Sequence, residues 1–120
     1  MDLHATISKK HWRDEIARCE ALGIPYLVMH PGAHMGRRDE PADEIAGLER
    51  VAEALSALLE KYSDGRTIVC LETTAGQGTS LGHRLEHLQQ IIKLCNHPDR
   101  LGVCLDTAHL FACVARWVSV

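Results

Sequence analysis

Leu101-Gly102-Val103-Cys104-Leu105-Asp106-Thr107-Ala108-His109 is the stretch on which the reading of the fold turns. Five apolar or small residues in a row predict a strand built for burial. The run then breaks off into Asp106 and, three residues on, His109. An unpaired buried charge is costly, so the end of this strand is expected to be a place where something cationic or reactive sits.

Two other segments repeat the design. Tyr26 to Met29 is a short apolar strand that ends at His30-Pro31-Gly32, and Thr67 to Leu71 ends in Glu72 and the loop Thr73-Thr74-Ala75-Gly76-Gln77-Gly78. Helical patterns separate them. The first starts at Ser8 as cap, with Ile7 and Trp12 as a hydrophobic staple, continues through Ile16 and Cys19 and stops at Gly23. The second, Pro41 to Tyr62, has Pro41 in its first turn and Asp43 and Glu44 at its positive end. Ile45, Leu48, Ala52, Leu55 and Leu59 form its inward face, and Asp64-Gly65 closes it. The third, Gly82 to Cys95, turns Leu85, Leu88, Ile91 and Ile92 inward and ends at Asn96-His97-Pro98. A last apolar segment begins a further helix.

The order α-β-α-β-α-β-(α), with short and uniformly apolar strands, predicts an α/β fold: a parallel sheet with flanking helices outside it. In parallel α/β folds the C-terminal strand ends point to one rim, where ligands bind. His30, Glu72 and Asp106 stand where three strands leave the sheet, with His109 just beyond, and so converge on that rim.

Bulk properties set the frame. A chain of 120 residues holds one domain. With 46% hydrophobic and 24% charged residues it has the composition of a globular protein, not a disordered one. A net charge of −3 gives no general basic field, so composition lends a nucleic-acid partner no support, although a local patch would be averaged away. The cysteines, Cys19, Cys70, Cys95, Cys104 and Cys113, are odd in number, form no Cys-x-x-Cys pair and lie mostly in apolar runs. They read as reduced core thiols of a cytosolic-type compartment. Met1-Asp2-Leu3-His4 has no signal-peptide pattern, and Leu110 to Val120 is too short to span a bilayer and carries Arg116. The expectation is an intracellular protein, cytoplasmic or nuclear, with no membrane partner.

Imidazole nitrogens and carboxylate oxygens together suit zinc, with manganese as the alternative ion, and a carboxylate such as Glu72 is able to bridge two ions. Such ions clamp a phosphate and acidify a bound water, so the chemistry expected is metal-assisted hydrolysis. Taken singly, each of these residues also has a structural reading, such as a histidine bonded to a carbonyl. His34 reads as fixing its loop, with a supporting donor to His30 as the alternative. His83, His87 and His97, like His4 and His11, read as surface or capping residues, because nothing in the sequence converges on them. Gly76 and Gly78 permit a tight turn or let a metal or nucleic-acid strand approach, with Gln77 between them as a DNA contact. Arg37 and Arg38 meet phosphates or are solvated.

The motifs His30-Pro31-Gly32-Ala33-His34, Glu72-Thr73-Thr74-Ala75-Gly76-Gln77-Gly78 and Gly102 to His109 resemble, in order, three motifs of the endonuclease IV family, the class II apurinic/apyrimidinic endonucleases. The resemblance runs from about Ile7 to about Ala112. It implies a TIM (β/α)8 barrel with up to three Zn2+ ions at the C-terminal rim, acting in DNA repair by cleaving double-stranded DNA 5′ to an abasic site. By resemblance His30 is a ligand of the first zinc and Glu72 bridges the first and second, helping to hold the attacking hydroxide. Asp106 is a ligand of the second and His109 of the third.

Several features depart from the family. Its members are more than twice as long, and this chain holds about three of their eight strands, so a partial barrel spanning residues 1–120 is expected, with no zinc site complete. From Cys113 the sequence leaves the family pattern, which suggests a truncated gene product. Unpaired sheet edges and an uncovered strand face would favour self-association. The rival functional readings are a sugar isomerase or epimerase of the xylose isomerase-like superfamily and a non-catalytic interaction module.

Overall fold

The computed structural model describes residues 3–32, 36, 40–74 and 81–109, with side chains from residue 9 onward. His34, Arg37, Arg38, Gly76, Gln77, Gly78, the Ser8 and Ile7 side chains and the tail from residue 110 lie outside it.

Helix α1 (Leu3–Leu22) leads into strand β1 (Tyr26–Met29), α2 (Pro41–Lys61), β2 (Ile68–Glu72), α3 (Leu85–Leu94), a short 3-10 turn (Pro98–Arg100) and β3 (Leu101–Cys104). The sheet has the order β1-β2-β3 and is parallel throughout. This is the expected α/β order.

The start of α1 differs from expectation. Leu3 to Ile7 contains neither proline nor glycine, so nothing stops the helix from running back past Ser8, which is interior to it and not its cap. Its other end is as expected. Gly23 takes φ +68, its N–H points to the Glu20 carbonyl, and the Ile24 N–H donates to the Cys19 carbonyl at 2.9 Å, a Schellman closure.

Helix α2 opens with Pro41 in its first turn and buries Gly47, Leu48, Val51, Ala52, Leu55, Leu58 and Leu59. Helix α3 is shorter than expected. Gly82 has φ +90 and Arg84 is extended, so the helix begins only at Leu85. Ile45 and Leu85, expected inward, are exposed. The inward stripes step back by fours through Leu48 to Glu44 and through Ile91 to His87, which leaves the neighbouring apolar residues pointing away.

All three helices pack on one face of the sheet. Trp12, Ile16, Leu48, Leu55, Leu59, Leu88 and Ile91 form the core with Met29, Val69, Leu71 and Leu101 of the strands. The strands are therefore not buried on both faces. On the opposite face Tyr26 and Val28 are exposed, and on the helix side Val103 and Leu105 are exposed as well. Among the described residues no helix lies over the end of β3, so burial of the Leu101–Leu105 run stops after Leu101.

A polar node locks the end of the sheet at which β2 and β3 begin. Arg100, buried, donates to the Thr67 and Tyr62 carbonyls at 3.0 and 2.7 Å and to Glu20 Oε1 at 3.1 Å. Glu20 in turn accepts from the Thr67 and Arg66 N–H groups. Cys19, Cys70, Cys95 and Cys104 are free thiols.

Candidate metal centre

In parallel register Glu72 stands opposite Cys104 and Leu71 opposite Met29. The next residue of the first strand, His30, thus leaves the sheet beside Glu72, while Asp106 follows two residues after Cys104. Alternation puts Val28 and His30, Cys70 and Glu72, and Cys104 and Asp106 on the open face. Strand register therefore aims three chain-distant polar side chains at one rim.

His30 Nε2 lies 2.6 Å from Glu72 Oε2. Glu72, Asp106 and His109 each offer one donor atom, and these lie within 4.8 Å of one another. The His30 and His109 rings meet edge to face with centroids 6.1 Å apart. All four residues singled out in the sequence are thus brought together. His30 is the most open of them, with its side chain 59% exposed against 17% for Glu72.

Thr73, which the sequence reading passed over, orders this group. Its hydroxyl accepts the Asp106 N–H at 3.0 Å and its carbonyl lies 2.8 Å from His109 Nδ1. A carbonyl only accepts, so His109 carries its proton on Nδ1 and turns the Nε2 lone pair outward. This is the orientation that second partners impose on metal-binding histidines. Asp106 also has a structural role, because its Oδ1 accepts the His109 N–H at 3.0 Å and so caps the helical turn at residues 107–109. That N–H, more than any other group, holds the Asp106 carboxyl below the ordinary carboxylate range. Desolvation opposes it, and a hydrogen bond with Glu72, the His109 ring and the Ala108 N–H add to the lowering. Two carboxyl groups whose oxygens lie within 4.8 Å of each other are relieved by a cation between them.

The donor set therefore suits a divalent ion. Two carboxylates lie side by side, one imidazole is fixed by its second nitrogen, and another is within reach of the first carboxylate.

His87 is the second residue that sequence reasoning missed. It is not on the surface: it is 4% exposed, with Nδ1 3.1 Å from the Gly82 N–H and Nε2 2.6 Å from Glu44 Oε1. Its signal was available four residues before Ile91 on the same helical stripe. His97 is half-buried against Glu60, while His11 is exposed as expected.

A family model described as a xylose isomerase-like TIM barrel matches residues 4–117. Among curated proteins, the "Probable endonuclease 4" of Chloroflexus aggregans is 57% identical over 99 residues, which cover 82% of this chain and 33% of that protein. The protein of the same name from Trichlorobacter lovleyi is 52% identical over 99 residues, covering 82% and 34%. That from Geobacter sulfurreducens is 48% identical over 101 residues, covering 84% and 32%. The chain spans about a third of the length of these relatives. No helix among the described residues is long and apolar enough to cross a membrane.

Proposed function

The chain belongs to the family of xylose isomerase-like TIM barrels, and from that premise we propose that it carries part of the rim of a zinc-dependent DNA repair nuclease of the endonuclease IV type. The reaction is hydrolysis of the phosphodiester 5′ to an abasic site in double-stranded DNA. The observation that carries this reading is the meeting of His30, Glu72, Asp106 and His109 at one rim from three parallel strands. The printed name of the relatives, endonuclease 4, supports the choice of DNA over a sugar as substrate.

In this reading His30, Glu72, Asp106 and His109 hold zinc. When bound, zinc supplies Lewis acidity toward a phosphate oxygen and acidifies water. The chain's own residues do the rest. Glu72, beside both His30 and Asp106, would be the central carboxylate holding the metal. Thr73 holds His109 in the tautomer that leaves Nε2 free. Asp106 keeps Oδ1 on the helical turn and so fixes the direction of Oδ2.

The test is zinc content per folded chain, together with cleavage of a duplex carrying one abasic site, for the wild type and Glu72→Gln. The expected result is bound zinc that falls in the variant, with any cleavage falling alongside it. A folded wild type that takes up no zinc, or takes it up equally without the Glu72 carboxylate, overturns the metal centre. Turnover of a sugar panel with no cleavage of abasic DNA moves the reading to a sugar isomerase.

A further inference from the structure

One buried titratable side chain has no part in that reading. The Gly82 N–H can only donate, so His87 Nδ1 meets it with its lone pair, and the ring proton stays on Nε2 and is donated to Glu44. Glu44, His83 and His87 do place one donor atom each within 4.8 Å of one another. In this tautomer, however, His87 has no lone pair left for a cation. The arrangement is a clamp between α2, α3 and the segment before α3.

What the clamp holds is Gly82. A Cβ built there would come within 3.1 Å of Pro31 Cγ and 3.4 Å of the Glu72 carbonyl oxygen, so the Gly82 backbone rests on both. The Gly82 carbonyl accepts the Thr74 N–H at 3.0 Å, and the Leu81 N–H donates to the Gly32 carbonyl at 2.8 Å. The Thr74 hydroxyl donates to the Leu81 carbonyl at 2.8 Å. Leu81-Gly82 is thus pinned to residues immediately after His30 and to those immediately after Glu72.

We propose that His87 is a positioning residue for the His30–Glu72 pair: by fixing Gly82 it sets the spacing between the two strand ends. Metal binding enters only as a second readout, and that readout alone rests on the function proposed above.

The experiment is nitrogen NMR of the histidine rings in the full chain without metal, with Co2+ titration alongside, for the wild type, His87→Asn and His87→Leu. The wild type is expected to show His87 as the neutral tautomer protonated on Nε2. His87→Asn, whose amide oxygen takes the Gly82 N–H, keeps the His30 ring resonances and Co2+ affinity of the wild type. His87→Leu shifts the His30 resonances and weakens Co2+ binding by about tenfold, as loss of a supporting contact does at metal sites. A wild-type His87 protonated on Nδ1 overturns the proposal without any variant. So does a folded His87→Leu whose His30 resonances are unchanged. If no form binds Co2+, the metal reading fails, and the metal-free His30 resonances still decide the role of His87.

Discussion

His30 and Glu72, 42 positions apart in the chain, meet across two adjacent parallel strands with 2.6 Å between Nε2 and Oε2. At that distance the two atoms share a proton, and a metal ligand must give its proton up. Zinc uptake is therefore expected to displace a proton from the pair. Calorimetry in two buffers of different ionisation heat reads the proton count. Uptake that releases no proton would remove this pair from the site.

Gly82 and Gly23 separate strain from crowding. Both have positive φ, but a Cβ at Gly23 meets nothing within 4 Å, whereas at Gly82 it meets Pro31 and Glu72. Gly23→Ala is expected to cost about 1 kcal/mol. Gly82→Ala is expected to cost more, about 2–3 kcal/mol, and to lower zinc uptake as well. Urea denaturation of the two variants checks the order, and equal losses would mean that the Pro31 contact relaxes freely.

Burial pushes the His87 imidazole below its ordinary value of 6.5, against the opposing pull of Glu44 and with help from His83 and Arg84. The unfolded chain therefore takes up this proton first. The stability linked to it is fully present above about 6.5 and is lost as pH falls from there toward the folded value. Glu20 and Asp106 are also lowered, from 4.5 and 3.8, so their losses begin further down. For Glu20, burial by itself would raise the value, and hydrogen bonds from Thr67 and Arg66 together with Arg100 more than offset it. The melting temperature should fall between pH 7 and 5.5 in the wild type and fall less in His87→Asn. Identical slopes would show that His87 does not titrate with folding.

Strand identity, order and the rim residues were legible because each strand is a short apolar run that ends in a polar side chain. Parallel pairing then fixes which ends meet. The helix faces were legible except at their first turns, where Ile45 stands one residue, and Leu85 two residues, from the side chain that turns inward. Glu44 and His87, the residues that occupy those places, are polar and find each other only through tertiary packing. The role of Thr73 was hidden for a related reason. Its hydroxyl and carbonyl act on Asp106 and His109, more than thirty residues away, and no local pattern records that contact.

Arg100 is one guanidinium serving three elements at the end of the sheet away from the rim. Its donors reach the carbonyl of Thr67 before β2, that of Tyr62 after α2, and the Glu20 carboxylate on α1. Three acceptors in different directions match the fixed fork of arginine, and the ammonium of lysine cannot reproduce it. Removing Arg100 also leaves Glu20 partly buried without its cation, although the Thr67 and Arg66 N–H groups still hold it. Arg100→Met is therefore expected to destabilise by about 3 kcal/mol, and Arg100→Lys by about 1–2 kcal/mol. Adding Glu20→Gln to Arg100→Met should recover part of the loss, since the stranded charge goes while an acceptor for the two N–H groups remains. Denaturant unfolding of the wild type, Arg100→Met, Glu20→Gln and the double variant reads the cycle. Strict additivity would mean that Arg100 acts through its carbonyl contacts alone and that Glu20 is held by backbone N–H groups without it.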